Sequence, residues 1–337
     1  KVFVMLGDAN VQLGDFVRAE RYYAEALKRT GEPQRLAGKI GFAQFGQGDV
    51  DKAIKTLEAQ LGDKVGQAAR PSVFLAIMYF SQGRLEPATE VVNAVLQTQP
   101  DNLVAMNLKG ALIMSAGDKA AARSVFEAVL EARSDFRPAR FNLAKLELMA
   151  GNPEAALELL EAMVEENAKD ARALHELARV HLAMNDKRTA VRLLEQIRKL
   201  DAKALIPSLQ LVDVYLELGR LADAESTAQS LLSLLPDNVL ALHGLARVQI
   251  ASDQRGYAGD TLKRAFNNSG YDAQLLLRTG KLQMAAGAAE DAYWTLQRSV
   301  EVMPQSPDAR NTLATLLYRQ GRFDEAHAQL KQVQSLR

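Results

Sequence analysis

The sequence predicts an all-α fold built from ten consecutive helix–turn–helix units. Turn-forming residues recur about every 34 residues, an alanine follows each turn at a fixed distance, and small and large apolar positions recur in the same register. The turn residue is glycine, asparagine or aspartate, which tolerate the left-handed backbone that ends a helix. The turn positions are Gly14, Gly48, Gly83, Gly117, Gly151, Asn185, Gly219, Asp253, Gly287 and Gly321.

An alanine stands five residues after every turn, where the two helices of a unit are expected to cross closely. A larger side chain at this position would push the two helices apart. The alanines are Ala19, Ala53, Ala88, Ala122, Ala156, Ala190, Ala224, Ala258, Ala292 and Ala326. This regularity predicts a helix A, a tight turn and a helix B in each unit.

Two further positions are expected to interlock across each pair of helices. Seven residues before the turn the residue is small: Gly7, Gly41, Ala76, Gly110, Ala144, Ala178, Ala246, Gly280 and Ala314, with Val212 as the exception. Nine residues after the turn it is bulky: Tyr23, Leu57, Val92, Phe126, Leu160, Leu194, Leu262, Leu296 and Leu330, with Ala228 as the exception.

The register divides the chain into ten predicted repeats in a single array. They span 1–33, 34–68, 69–102, 103–136, 137–170, 171–204, 205–238, 239–272, 273–306 and 307–337. Breaks such as Pro100-Asp101, Pro236-Asp237 and Ser306-Pro307 are expected to stop one helix and cap the next. The stretch 62–71 contains two glycines and a proline, which predicts a looser joint there.

Composition and charge exclude several classes of function. The chain has 337 residues, with 41 Lys plus Arg and 41 Asp plus Glu, so its formal net charge is zero. A duplex-binding protein usually has a basic surplus, and nucleic acid is therefore not an expected partner. The absence of cysteine excludes disulfides, zinc–thiolate sites and thiol catalysis. No segment approaches the ~20 apolar residues of a transmembrane helix.

No catalytic, metal or cofactor site is predicted. Among the four histidines, His175 begins a His-Glu-x-x-x run like that of zinc proteases, but Arg179 stands where the second histidine would be needed. The glycines Gly38, Gly41, Gly46 and Gly48 match no phosphate-binding pattern, so we interpret them as small residues at helix contacts and at a turn. The sequence therefore predicts a non-enzymatic protein.

The period, the small residue before the turn, the turn glycine and the alanine after it together resemble the tetratricopeptide repeat over the whole chain. The family's large aromatic residue early in helix A is mostly missing here. The resemblance implies a right-handed superhelical solenoid of about ten repeats, with the A helices lining a concave groove. It also implies a protein-interaction scaffold.

Shorter runs resemble the bacterial exosortase-associated (PEP-CTERM system) tetratricopeptide lipoproteins. These runs are residues 100–110, 117–127 and 137–144. The resemblance implies a scaffold in an envelope exopolysaccharide and protein-sorting system. It also implies export to the bacterial periplasm and a lipid anchor on an N-terminal segment outside this sequence, which starts at Lys1. Without this narrower resemblance, the expected location is cytoplasmic.

In tetratricopeptide arrays, ligands usually lie on the A helices at the positions thirteen, ten and six residues before the turn. The later repeats place mostly basic side chains there, and the predicted partner-binding residues are Lys145, Arg172, His175, Arg179, His243, Arg247 and Lys281. The earlier repeats offer an apolar alternative, namely Phe42, Val73 and Ile77.

The basic residues predict one continuous strip that binds an acidic protein or peptide through charge-assisted hydrogen bonds. Direct binding of an anionic polysaccharide is an alternative, and the later groove lacks the aromatic platforms on which sugars usually stack. An ordinary solvated helix face, with its cations paired to nearby acidic residues, would produce the same pattern. The sequence leaves these three interpretations open.

Overall fold

The computed structural model describes the backbone of residues 1–31 and 33–334, and the side chains of residues 1–31 and 36–334. Two compact units are distinguished, an N-terminal unit from Lys1 to Leu160 and a C-terminal unit from Glu161 to Arg337. Across the described backbone there are twenty α-helices and no strands, which confirms the predicted all-α class. The tenth predicted repeat runs to residue 337, and its residues 335–337 lie outside the described part.

The N-terminal unit contains nine complete helices and the beginning of a tenth. These are α1 (Val2–Gln12), α2 (Phe16–Thr30), α3 (Pro33–Gly46), α4 (Val50–Leu61), α5 (Ala69–Ser81), α6 (Leu85–Thr98), α7 (Leu103–Ser115), α8 (Lys119–Ala132), α9 (Arg137–Ala150) and α10 (Pro153–Glu166). A short 3₁₀ helix, Gly62–Lys64, follows α4. Odd-numbered helices are the A helices, and each of α1, α3, α5 and α7 packs against the B helix that follows it.

The C-terminal unit continues the same alternation. It contains the end of α10 followed by α11 (Ala171–Ala183), α12 (Lys187–Leu200), α13 (Leu205–Glu217), α14 (Leu221–Leu234), α15 (Val239–Ala251), α16 (Arg255–Asn268), α17 (Ala273–Ala286), α18 (Ala289–Val302), α19 (Pro307–Arg319) and α20 (Phe323–Gln334). Each A helix of this unit packs on the next B helix, and each of those B helices up to α18 packs on the A helix after it.

All ten predicted turn residues have left-handed backbone angles, with φ between 57° and 95°. Asn185 and Asp253 adopt this conformation although they carry side chains. They are the two residue types besides glycine for which the left-handed region costs least. The predicted turn register is therefore confirmed.

The ten alanines lie where the two helices of each unit cross. Their exposed fractions range from 0% to 4%. The bulky position nine residues after the turn is likewise buried from Tyr23 to Leu296, but Leu330 on α20 is exposed. At four of the small positions, Gly7, Gly41, Gly110 and Gly280, an added Cβ would come within 3.0 Å of the bulky residue of the same unit. The predicted interlocking of small and large side chains is thus present.

Where a side chain caps the start of a described helix, it is usually an aspartate or an asparagine. The Asp15, Asp49, Asp118 and Asp186 side chains accept hydrogen bonds from backbone N–H groups at the starts of α2, α4, α8 and α12. At the predicted Pro-Asp breaks the cap is the next residue, Asn102 or Asn238, rather than the aspartate. Ser306 caps α19, with Pro307 in its first turn.

A tyrosine links neighbouring repeats at two places. The Tyr79 hydroxyl donates to the Glu58 carboxylate of the preceding repeat, and Arg84 lies over the Tyr79 ring, 4.5 Å from its centroid. Tyr215, Glu195 and Arg220 repeat this arrangement in the C-terminal unit. Burial and the hydrogen bond to the carboxylate raise the pKa of Tyr79 and of Tyr215 to about 12.

The stretch predicted to be a looser joint is held in place at Gly66. Its N–H donates to Ser72 Oγ at 3.1 Å, and its carbonyl accepts from Thr98 Oγ1 at 2.8 Å. A Cβ added to Gly66 would lie 2.5 Å from the Ala94 carbonyl oxygen. The glycine at this joint therefore permits close backbone packing against α6. The predicted interruption is present, since α4 ends at Leu61 and α5 begins at Ala69, and the looser joint stays a prediction that limited proteolysis would test.

Candidate ligand-binding groove

The A helices α1, α3 and α5 of the N-terminal unit enclose a mainly apolar cavity of about 770 Å³. Pockets that bind small molecules typically measure about 300–1,000 Å³. We call this cavity the N-terminal pocket. It is lined by Asp8, Val11, Tyr23, Gly38, Lys39, Phe42, Ala68, Ala69, Arg70, Pro71 and Phe74.

Two phenylalanine rings form part of the pocket wall. The ring centroids of Phe42 on α3 and Phe74 on α5 are 6.0 Å apart. Phe16 meets the Phe42 ring edge-on at 6.2 Å, and Phe45 meets the Phe74 ring edge-on at 5.9 Å. Such edge-on and tilted arrangements are favourable for aromatic pairs. The four rings therefore support one another while Phe42 keeps 43% of its surface exposed.

Gly38 gives the pocket room on α3. A Cβ added there would make only an ordinary contact, 3.5 Å from the Pro71 Cβ. By contrast, an added Cβ would lie 2.9 Å from Leu57 at Gly41 and 2.5 Å from Phe16 at Gly46. Helix packing thus requires a small residue at Gly41 and Gly46, as predicted, whereas at Gly38 there is space for a larger side chain.

A hydrogen-bonded ion pair lies in the pocket wall. Lys39 Nζ is 2.5 Å from Asp8 Oδ1, and the Tyr23 hydroxyl donates to the same oxygen at 2.7 Å. Burial raises the pKa of Asp8, but the hydrogen bonds from Lys39 and Tyr23 outweigh it and hold the pKa below its usual value. The Asp8 carboxylate consequently stays charged and compensates Lys39.

Arg70 is exposed at the rim of the pocket. Within the part of the chain that the structure describes, it has no ion-pair partner. Because Lys39 is compensated by Asp8, Arg70 gives the pocket a net positive charge. Sequence reasoning missed Lys39 and Phe74, which lie outside the three register positions on each A helix. It also passed over Arg70, although Arg70 stands thirteen residues before Gly83 and so has the groove register.

Two of the three residues in the predicted apolar alternative are accessible. Phe42 lines the N-terminal pocket, and Ile77 on α5 is 42% exposed. Val73 differs, because it is buried and belongs to the apolar core around Ile54, Leu57 and Val92. Val73 is therefore a packing residue, and its assignment to an accessible groove is wrong.

The predicted basic residues fall in both units. Lys145 on α9 is exposed and belongs to the N-terminal unit, whereas the other six belong to the C-terminal unit. On α11, Arg172 is exposed, His175 Nε2 lies 2.8 Å from Gln210 Oε1, and Arg179 Nη1 lies 2.7 Å from the Glu176 carboxylate. Neighbouring side chains thus already engage His175 and Arg179.

The remaining basic positions of the C-terminal unit differ in their surroundings. Arg247 forms an ion pair with Asp213 of the preceding A helix. Lys281 is exposed and lines a cavity of about 370 Å³ together with Asp308, Asn311 and Arg319. Acidic side chains therefore interrupt the cationic surface at Arg179 and Arg247.

His243 does not belong to the accessible surface. It is fully buried in α15, and its Nε2 lies 2.8 Å from Thr279 Oγ1 on α17. Burial, followed by the nearby charge of Arg278, lowers the pKa of His243 to about 4. The imidazole is therefore neutral at pH 7, and its grouping with the groove cations is wrong. Its offset from the turn matches the groove register, but α17 covers the side chain.

A search of the described residues found no cluster of three or more His, Cys, Asp or Glu side chains that could hold a metal ion. Among the helices described, none combines the length and apolar character needed to cross a bilayer.

Two family models, both described as tetratricopeptide repeat, match the chain. One matches residues 114–180, 147–211 and 283–336, and the other matches residues 4–62. Together these matches cover more than half of the chain. A comparison with curated proteins found no match.

Solved structures share the fold at low sequence identity. A tetratricopeptide repeat protein from Parabacteroides merdae is 18% identical, with a TM-score of 0.53, and the match covers 74% of this chain and 99% of that protein. The human IFIT1 dimer with m7Gppp-AAAA is 16% identical, with a TM-score of 0.58, and the match covers 98% and 80%. The family models match the chain, and its turn residues, buried alanines and paired small and large positions recur from repeat to repeat. The chain therefore belongs to the tetratricopeptide repeat proteins.

Proposed function

We propose that the chain is a non-catalytic protein-interaction scaffold that holds an extended segment of a partner protein against the A helices of its N-terminal unit. The N-terminal pocket carries this proposal, because it is a large, mainly apolar cavity bounded by the exposed ring of Phe42 and the half-buried ring of Phe74. Contiguous exposed apolar surface on a protein usually marks an interaction site. Helices that support one another through their cores form a rigid base for such a site.

Site-specific photocrosslinking in the native host tests this function. A photoreactive phenylalanine analogue at Ile77, on the exposed surface of α5, should crosslink to a partner protein. The matched control carries the analogue at Asn93, which is exposed on the B helix α6. Equal crosslinking at both positions, or none at Ile77, would contradict the proposal.

An acidic partner on the basic residues is a second candidate. The exposed side chains of Lys145 and Lys281 favour it, and Arg172, His175, Arg179 and Arg247 are the further proposed contacts. The anionic polysaccharide alternative would use the same cations. In either case binding should weaken as salt rises, because salt screens exposed charges over about 10 Å at 0.1 M.

Titrations with an acidic peptide such as oligoglutamate and with alginate, each at low and high salt, separate these alternatives. Replacement of Arg172, Arg179 and Arg247 by glutamate should abolish binding while circular dichroism stays unchanged. Binding that is insensitive to both salt and the triple substitution would exclude the cationic surface as a ligand site.

The setting of the scaffold is a finer proposal. The resemblance of residues 100–110, 117–127 and 137–144 to the exosortase-associated proteins supports a role in a bacterial envelope exopolysaccharide and protein-sorting system. Fractionation of the host should then place the protein in the envelope, released by detergent rather than by salt. Recovery in the cytosolic fraction would exclude this setting.

A further inference from the structure

We infer that the N-terminal pocket recognises, within the partner segment, a large apolar side chain with an aspartate or glutamate close to it in the partner's sequence. The inference rests on the proposed scaffold function and adds the chemistry of the partner to it. It depends on the shape of the pocket at Gly38, on the balance of charge around Arg70, and on the apolar surface beyond the pocket.

The apolar part of the inference follows from the walls. Val11, Phe42, Pro71 and Phe74 line the cavity from three different A helices. A Leu, Met or Phe side chain that enters it would remove apolar surface from water on both partners, which contributes roughly 25 cal/mol per Å² buried. Gly38 leaves open the volume that a side chain on α3 would otherwise fill.

The acidic part follows from the charges. The Asp8 carboxylate neutralises the charge of Lys39, whose Nζ lies 2.5 Å from Oδ1, and it also accepts a hydrogen bond from the Tyr23 hydroxyl. The Asp8–Lys39 pair therefore attracts neither cations nor anions strongly. Arg70 has no ion-pair partner among the described side chains and stands at the rim. A carboxylate adjacent to the anchored apolar side chain can form a bidentate, charge-assisted pair with its guanidinium.

An extended protein segment fits this surface better than a small molecule does. Exposed apolar side chains continue beyond the cavity. Phe45 lies next to Phe74, and Ile77 follows Phe74 by about one turn of α5. A small molecule confined to the cavity would leave both exposed. A peptide that runs along the A helices would cover them while its anchor occupies the pocket.

Three variants separate the elements of this inference. Gly38→Leu should fill the pocket from α3, and it also improves helix propensity, so the fold should be retained. Gly38→Ala is the matched control, because it gains the same kind of helix stabilisation while adding only one methyl group beside Pro71. Arg70→Glu reverses the charge at the exposed rim without touching the core.

The experiment is selection of linear heptapeptides from a random phage-displayed library against the full chain. The selected peptides are then titrated as fluorescent, N-acetylated and C-amidated probes. Capping removes the terminal carboxylate, so any acidic preference must come from side chains. Circular dichroism and thermal melting establish that each variant is folded.

The wild-type chain and Gly38→Ala should both select a large apolar residue with Asp or Glu close to it. Gly38→Leu should bind the same probes at least about tenfold more weakly, within the range by which apolar pockets discriminate side chains. Arg70→Glu should select Lys or Arg in place of the acidic residue.

A common motif that binds Gly38→Leu as tightly as wild type would overturn the inference, as would the absence of any enriched motif. If crosslinking at Ile77 still succeeds in either case, the scaffold function stands and only the chemistry assigned to its partner fails. If both experiments fail, the scaffold function of this surface fails as well.

Discussion

The Gly110–Phe126 contact permits a quantitative test of how the repeats pack. Gly110 lies in the A helix α7 and Phe126 in the B helix α8 of one repeat, and Phe126 is fully buried. A Cβ added at Gly110 would lie 2.5 Å from Phe126 Cε1 and 2.9 Å from its Cδ1. We expect Gly110→Ala to destabilise the N-terminal unit, because the enclosed ring cannot move aside freely.

The magnitude results from two opposing effects. Replacement of glycine by alanine within a helix normally stabilises by about 0.5–1 kcal/mol. Overpacking of a close-packed core costs about 1–3 kcal/mol. The overlap with Phe126 should outweigh the gain in propensity, which leaves a net destabilisation of about 1 kcal/mol.

Other repeats indicate how this cost can be relieved. Both aromatic residues at the bulky position, Tyr23 and Phe126, face a glycine, whereas Leu160 shares its repeat with an alanine, Ala144, at the small position. Adding Phe126→Leu to Gly110→Ala should therefore recreate a combination that the chain already uses. We expect the two substitutions to be coupled by about 1–2 kcal/mol, so that the double variant is more stable than the sum of the single effects predicts.

The assay is hydrogen exchange on the wild type, both single variants and the double variant. Repeat proteins can unfold in parts, so local opening free energies are better defined than one global free energy of unfolding. Gly256→Ala on α16 is the control, since no atom lies within 4 Å of its added Cβ and only the propensity gain is expected. A stabilised Gly110→Ala variant, or coupling indistinguishable from zero, would refute the interlocking model.

Three further predictions address separate features. Ala156→Leu, at a fully buried helix crossing, should lower stability by about 1–3 kcal/mol, and an unchanged thermal midpoint would show that the crossing tolerates a larger residue. The pKa of His243 falls from 6.5 to about 4 on folding, so protonation favours the unfolded state. The free energy of unfolding should therefore decline as pH falls from 6.5 towards 4. Urea titrations at pH 7 and 4.5 should show that His243→Gln lacks this part of the decline. Burial and Glu58 raise the pKa of Tyr79 from 10.0 to about 12. The stabilisation that the Tyr79 hydroxyl provides should therefore persist up to pH 10 and disappear as pH rises towards 12. Unfolding measured at pH 9 and 11 should show no such loss for Tyr79→Phe.

The elements that the sequence predicted well are those that local geometry determines. A residue with positive φ must end each A helix before helix B can fold back, so the turn positions were evident even where Asn185 or Asp253 replaces glycine. The buried alanines follow from the same hairpin geometry. The position of each cap was less certain, because asparagine and aspartate cap equally well and stand side by side at residues 101–102 and 237–238.

The candidate site was harder to predict, because exposure on an A helix depends on the neighbouring helix. Val73 and His243 have the groove register, yet both are buried. One signal in the sequence could have indicated the charge pairing. Asp213 and Arg247 occupy the same position in consecutive repeats, so their opposite charges could be expected to meet across adjacent A helices, as they do.

The N-terminal pocket shares side chains with the core of its unit. Tyr23 is buried in that core, and Val11 and Phe74 pack against core clusters. Ala53, Leu57 and the turn at Gly48 close the second hairpin through their own contacts, and a Cβ on Gly41 would disturb them. At Gly38, three residues earlier on the same helix, an added Cβ would make only an ordinary contact with Pro71 and would lie in the wall of the pocket. A larger residue at Gly38 should therefore extend into the pocket, and it also gains helix propensity. For this reason Gly38, rather than the more numerous cations, is the residue at which binding and folding can be altered independently.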